Sequence, residues 1–171
     1  MRSRIAQWTA VGLWLSVLSL TTLVRCTVWT SDLRLWADAL DKTPDKPRAI
    51  LNDARAHELA GEDAYAEARY RAVFWLTLDD RRPLVVRRFA LAAAETNLAH
   101  LAMKRGQMAQ AMRILDGTLA WWPDFPYAHY NRGTILWLYG ACADGAAEYA
   151  IALKGDPWLP PLREPCPSAT P

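Results

Sequence analysis

The sequence predicts an all-α protein in which one N-terminal transmembrane helix precedes a short solenoid of about three helix pairs and a capping helix. Three observations predict this fold: twenty uncharged residues at 5–24, a residue pattern that recurs 34 positions later, and a composition of 52% hydrophobic and 22% charged residues. Such a composition is typical of a chain that buries a core. The predicted segments are an anchor at 1–25, a linker and capping helix at 26–43, a solenoid at 44–157 and a Pro-rich tail at 158–171.

The anchor is predicted by the length and hydropathy of residues 5–24, which at about 1.5 Å per residue cross the ~30 Å hydrocarbon layer and contact its lipid. A cleaved signal peptide would have small residues at its cleavage site, whereas Arg25 and Cys26 follow this run. Arg25 also stands where a lipoprotein processing site has a small residue before its Cys. A buried core helix would need more surrounding chain than this sequence supplies. We therefore expect a permanent single-pass anchor.

The charges that flank the anchor favour one orientation. Arg2, Arg4 and the amino terminus precede the uncharged run, and Arg25 and Arg34 follow it. The positive-inside rule then favours a cytoplasmic N-terminus by a small margin. We expect an inner (cytoplasmic) membrane protein whose remaining chain is periplasmic.

Residues 31–40 are predicted to form an isolated capping helix, with Thr30 or Ser31 as its N-cap. Trp36, Ala39 and Pro44 have the same spacing as three residues at the end of the last repeat, Tyr149, Ala152 and Pro157. The ends of a solenoid need such a helix, because a bare repeat leaves an apolar face in water.

The pattern that recurs 34 positions later consists of small residues, a Gly, a large residue and a closing Pro. Its two copies are Ala99, Gly106, Ala111, Leu115 and Pro123, and then Gly133, Gly140, Gly145, Tyr149 and Pro157. These residue types at these spacings resemble the tetratricopeptide repeat (TPR) family. The resemblance implies antiparallel helix pairs that cross at the small residues, turn at the Gly and stack into a solenoid.

An earlier copy of the pattern departs from the period. It contains Ala54, Gly61, Ala66 and Tyr70, with Leu78 in place of the closing Pro. Ala54 and Ala99 are 45 positions apart, eleven more than one period. We assign these eleven extra residues to a charged turn that begins at Asp79 and to a long first helix from Pro83 to Lys104. This helix is expected to extend about two turns beyond the second helix of its pair.

The order of segments is also similar to the C-terminal end of certain multi-spanning membrane glycosyltransferases. In both, a membrane span, a short linker, a capping helix with a Trp and then repeats follow one another. The resemblance implies a repeat domain outside the membrane. This chain lacks the many spans that hold a lipid-linked sugar, so it implies no glycosyltransferase activity here.

Nucleic-acid binding and enzymatic chemistry are not expected. A net charge of +2 gives no strongly basic face for phosphate contacts. His57, His100 and His129 fall on different repeats, without the spacing of metal ligands, and the sequence has no nucleophile elbow or phosphate-binding Gly-rich loop. We expect no catalytic residue, no metal and no cofactor.

An Asn row on the first helix of each repeat is the candidate binding surface. Asn52, Asn97 and Asn131 each lie two positions before the small residue at which the helices cross, where the resemblance implies a concave groove. Residues one or two turns away share that face, and they are Arg48, Arg55, His100, Lys104, Tyr127 and Thr134. Such a groove suits the main chain and carboxylates of an extended peptide. The alternative is that the Asn side chains only cap local turns.

Aromatic residues are crowded into the last repeat and its approach. A repeat needs only two or three large residues for its core, so we expect some of Trp121, Trp122 and Trp158 to be exposed. An exposed aromatic cluster is typical of a protein interface, and lipid headgroups are the alternative contact.

The chain has three cysteines, so at least one is unpaired within it. Cys26 lies at the membrane edge, and Cys142 lies in the turn of the last repeat. The Pro-rich segment from Pro157 to Cys166 reaches roughly 28 Å at ~3.1 Å per residue, enough to return to Cys142. A Cys142–Cys166 disulfide is therefore possible and would require an oxidising compartment. Alternatively, Cys142 is a small buried apolar residue and Cys166 belongs to a disordered end.

These observations predict a membrane-anchored protein–protein interaction module, an accessory or assembly subunit that binds other protein subunits through its groove or its aromatic surface. A docking or regulatory component of a membrane glycosyltransferase system is the alternative. A free cytosolic adaptor is disfavoured by the uncharged N-terminal run. The sequence fixes neither the partner nor the oligomeric state.

Overall fold

A computed structural model describes residues 2–78, 81–162 and 166, and within these residues all regular secondary structure is helical. The α-helices are α1 (Arg2–Cys26), α2 (Asp32–Lys42), α3 (Pro47–Leu59), α4 (Asp63–Leu78), α5 (Leu84–Lys104), α6 (Met108–Trp121), α7 (Pro126–Leu138) and α8 (Cys142–Gly155). Asp79 and Asp80 of the predicted charged turn, and residues 163–165 and 167–171 of the predicted tail, lie outside the described residues.

Helix α1 is long and apolar enough to cross a membrane, on the criteria of length and composition alone. None of its apolar window is buried against the rest of the chain. Its hydroxyl groups donate to carbonyl oxygens one turn back, as Ser16 does to Gly12 at 2.9 Å and Thr22 to Leu18 at 2.8 Å. These bonds let polar side chains be tolerated in lipid.

A single 3₁₀ turn, Thr27–Thr30, joins α1 to α2, so the short linker is itself helical. Ser31 is the N-cap of α2, and its side chain accepts a hydrogen bond from the amide of Arg34. Arg25 Nη1 in the last turn of α1 lies 2.8 Å from Asp38 Oδ1. The middle of α2 is therefore held beside the end of α1.

From α2 onward, each helix packs against the next one in the chain, and α5 also contacts α3 and α7. In each of the pairs α3/α4, α5/α6 and α7/α8, the small residue predicted at the helix crossing is buried on both helices. These residues are Ala54 and Ala66, Ala99 and Ala111, and Gly133 and Gly145. A Cβ on Gly133 would lie 2.9 Å from the carbonyl oxygen of Gly145, so α7 and α8 approach backbone to backbone.

The turn within each pair has the same backbone. Gly61, Gly106 and Gly140 all have positive φ, at 85°, 72° and 79°. Such a φ strains any residue with a Cβ, and Gly is the usual residue just beyond a helix end. The backbone amide of each Gly donates to the backbone carbonyl oxygen three positions earlier. The acceptors are Glu58, Met103 and Trp137, at 3.0, 2.9 and 3.1 Å.

Helix α5 is the long helix of the array, with 21 residues from Leu84 to Lys104. The sequence predicts a start at Pro83; the helix begins one residue later, with Pro83 as its N-cap. One core cluster is centred on Tyr70 of α4, which is fully buried, and a second lies around Leu115 and Phe125 between α5, α6 and α7.

Candidate partner-binding surface

The three Asn side chains of the predicted row do not share one environment. Asn52 on α3 and Asn97 on α5 are half-buried. Asn131 on α7 is only 8% exposed, and its Nδ2 donates to the carbonyl oxygen of Thr96 at 3.3 Å. The expectation that Asn131 lies open in a groove is therefore wrong. Its amide instead joins α7 to α5, because a buried side-chain NH2 group needs an acceptor and a helix carbonyl oxygen has a second lone pair to offer.

Two other predicted groove residues surround Glu58, a nearly buried carboxylate on α3. His100 Nδ1 lies 2.6 Å from Glu58 Oε1, and the Tyr70 hydroxyl donates to Glu58 Oε2 at 2.8 Å. Arg55 Nη1 lies 3.6 Å from Glu58 Oε1. This cluster joins α3, α4 and α5, so His100 and Arg55 are engaged by a carboxylate of the protein itself.

Burial raises the pKa of Glu58, but the hydrogen bonds from His100 and Tyr70 outweigh burial and hold that pKa below its ordinary value. Burial, together with the bond to Glu58, raises the pKa of the Tyr70 phenol. Tyr70 therefore remains a proton donor and Glu58 an ionised acceptor at neutral pH.

Two further members of the predicted groove, Lys104 and Tyr127, bind carboxylates of the protein itself. Lys104 Nζ pairs with Asp63 of α4, and the Tyr127 hydroxyl donates to Asp156 Oδ2 at 2.9 Å. Burial and this bond raise the pKa of Tyr127. Arg48, one turn before Asn52, is exposed. The open part of the predicted surface is therefore centred on Arg48, Asn52 and Asn97.

The aromatic surface is built around an arginine that the sequence did not single out. Trp121 and Trp122 are half-buried, and the Arg88 guanidinium lies 5.8 and 5.2 Å from their ring centroids. Arg88 Nη2 also donates to the carbonyl oxygen of Trp121 at 2.7 Å. Of the three tryptophans considered as candidates for exposure, Trp158 is exposed almost completely, at 92%.

No protein-family model matches the chain, and no curated protein sequence matches it either. Within the described residues, no three His, Cys, Asp or Glu side chains come together as a group that could hold a metal.

The tail that follows the last helix returns to contact it at two points. Cys142 at the start of α8 forms a disulfide with Cys166, with Cα atoms 6.1 Å apart. Leu162 is buried, and the Tyr149 hydroxyl donates to the carbonyl oxygen of Leu159 at 3.3 Å. Cys26 is a free, exposed cysteine.

A set of exposed apolar side chains at the end of α4 and the start of α5 was missed by the sequence reasoning. We call it the α4–α5 patch, and its residues are Phe74, Trp75, Leu78, Leu84, Val85, Val86 and Phe89. The signal that indicates it is the predicted overhang of α5, because the first residues of an overhanging helix extend past the helix beside it. Residues 84–86 are three consecutive apolar residues within that overhang.

Proposed function

We propose that this protein is a membrane-anchored adaptor, an accessory or assembly subunit that binds another protein of a membrane complex. In this proposal, helices α2–α8 form a TPR-type solenoid and α1 is the permanent anchor. One observation carries the proposal: three successive helix pairs have buried small residues and a positive-φ Gly turn at equivalent positions, and they follow an exposed apolar helix. Repeated helix pairs of this kind usually present an extended binding surface.

The proposed contact surface is the open part of the groove side, at Arg48, Asn52 and Asn97. Each Asn side chain offers both a donor and an acceptor to the main chain of an extended peptide. Arg48 is exposed and suits a carboxylate of that peptide. Trp121 and Trp122, with Arg88 against their rings, form the second surface that a partner would contact.

We further propose that the N-terminus is cytoplasmic and that the helix pairs lie in the periplasm. The Cys142–Cys166 disulfide supports this side of the membrane, because structural disulfides persist in oxidising compartments and are rare in the cytosol. The charges before α1 favour the same orientation.

Purification of the tagged full chain from its native membrane in mild detergent tests the adaptor role. Co-purified subunits identified by mass spectrometry are expected, and a co-purified multi-spanning glycosyltransferase would favour the alternative role. Asn52→Ala combined with Asn97→Ala is expected to weaken partner binding by on the order of 10-fold, since two hydrogen bonds are lost.

Gln110→Ala is the matched control, because Gln110 is an exposed amide on α6. Recovery of no protein above the tag-only background would contradict the adaptor role. Recovery of the chain in the soluble fraction would contradict the anchor.

Alkylation of intact membranes without reductant, followed by peptide mapping, tests the compartment. Cys26 is expected to be alkylated and serves as the internal control, whereas Cys142 and Cys166 are expected as one linked peptide. Alkylation of all three cysteines would remove the main support for a periplasmic domain.

A further inference from the structure

The α4–α5 patch exposes large apolar side chains to an extent that single surface residues do not explain. Trp75 is 70% exposed and Leu84 is 63% exposed, and the other members of the patch are also exposed. The first three members occupy one side of the last turns of α4, and the others lie in the first two turns of α5. Helices α4 and α5 pack together, so the two groups lie at the same end of the array. Contiguous exposed apolar surface usually marks a docking site.

The charges around the patch identify the chemistry of its partner. Over residues 79–88, four arginines outnumber two aspartates. Arg81 is exposed beside Leu84, and Arg88 is exposed beside Phe89. Apolar and aromatic side chains flanked by arginines suit an interface whose inner layer is apolar and whose outer layer is anionic.

The contacts of α2 bring the patch towards the anchor. Arg25 at the end of α1 is bonded to Asp38 in the middle of α2 at 2.8 Å. Helix α2 ends four residues after Asp38, at Lys42, and Asp45 lies in the turn that leads to α3. Arg82 Nη2 donates to the carbonyl oxygen of Asp45 at 2.9 Å, two residues before the patch resumes at Leu84. Through α2 and these two bonds, the start of α5 is connected to the residue at the end of the anchor.

We propose that the α4–α5 patch docks on the surface of the membrane beside the anchor, with Trp75, Leu78 and Leu84 in the headgroup layer and Arg81 on anionic lipid phosphates. The proposal rests on the anchor of the proposed function. It adds that the helix pairs lie against the bilayer in a defined orientation, since a second attachment point removes the freedom of a single tether.

The test uses the full chain with Cys26→Ser, reconstituted at one copy per nanodisc, with an environment-sensitive fluorophore attached at Leu84→Cys. The matched control carries the label at Leu138→Cys, because Leu138 is also an exposed leucine near a helix end but belongs to the last helix pair. The readout is quenching by nitroxide groups on the acyl chains, in phosphatidylcholine discs with and without phosphatidylglycerol.

Position 84 is expected to be quenched, more strongly with phosphatidylglycerol, while position 138 stays unquenched. Arg81→Gln is expected to lower the ratio of quenched to unquenched label by about five-fold, whereas Arg113→Gln on α6 leaves it unchanged. An unquenched label at position 84, equal quenching at both positions, or shielding from aqueous iodide without lipid quenching would each overturn the proposal. The last result would assign the patch to a second protein.

Failure of the chain to enter discs would contradict both the anchor and the docking surface. An incorporated chain with an unquenched label at position 84 would contradict the docking surface alone. The circular dichroism of each labelled variant must match that of the parent chain, so that unfolding is not mistaken for undocking.

Discussion

Gly→Ala is expected to destabilise the protein at Gly133 and to stabilise it at Gly117. A Cβ at Gly133 would lie 2.9 Å from the carbonyl oxygen of Gly145 and 3.3 Å from the amide nitrogen of Tyr149. Both of these are backbone atoms, so no side chain can rotate away and α7 and α8 must separate. A Cβ at Gly117 in α6 would meet nothing within 4 Å.

The magnitude follows from two opposing contributions. Gly→Ala within a helix gains about 1 kcal/mol from propensity, and forcing extra volume into a packed contact costs about 1–3 kcal/mol. Because the backbone contact allows no inexpensive relief, we expect Gly133→Ala to destabilise the protein by about 1–2 kcal/mol. Gly117→Ala is expected to stabilise it by up to about 1 kcal/mol.

Thermal unfolding of the full chain in detergent, followed by far-ultraviolet circular dichroism, measures both variants. At about 2–4 °C per kcal/mol for a chain of this size, the two melting temperatures are expected to differ by roughly 5–10 °C. The double variant Gly133→Ala/Gly145→Ala is expected to cost less than the sum of its single changes, because the first change already separates the helices. A Gly133→Ala variant that melts at or above the parent temperature would refute the close crossing of α7 and α8.

Two further predictions concern polar contacts inside the array. The pKa of Glu58 lies below its ordinary value, so its contribution to stability is present above about pH 4 and is lost as the pH falls through the folded-state pKa. In urea unfolding, Glu58→Gln is expected to be about 1.5–3 kcal/mol less stable than the parent at pH 7, with a difference that narrows as the pH is lowered below about 4; a difference that stays constant with pH would contradict this. Asn131→Ala is expected to cost about 1 kcal/mol by removing its hydrogen bond to the Thr96 carbonyl, whereas Asn97→Ala stays within about 0.5 kcal/mol; equal unfolding free energies for the two variants would show that Asn131 is not a structural amide.

The helix boundaries were predictable because their signals are local. Ser31 caps α2, Pro47 and Pro126 occupy the first positions of α3 and α7, and Gly61 and Gly106 supply the positive φ of two turns. Each signal acts within about four residues, so it can be read without knowing what packs nearby.

The candidate site was less predictable because its state depends on distant partners. The sequence treats Asn97 and Asn131 as equivalent, but only the contact between α7 and α5 decides that Asn131 is enclosed. His100 lies on the predicted face, yet its partner Glu58 is 42 residues earlier in the chain. Periodicity places a side chain on a face and does not show whether that face meets a complementary charge.

The disulfide beyond α8 makes the end of the chain a closed loop. Cys166 is bonded to Cys142, 24 positions earlier, and Leu162 within that loop is buried. A backbone cut between the two cysteines would therefore leave both pieces covalently joined until the disulfide is reduced. Proteolysis inside this loop would show as a smaller fragment on a gel only under reducing conditions.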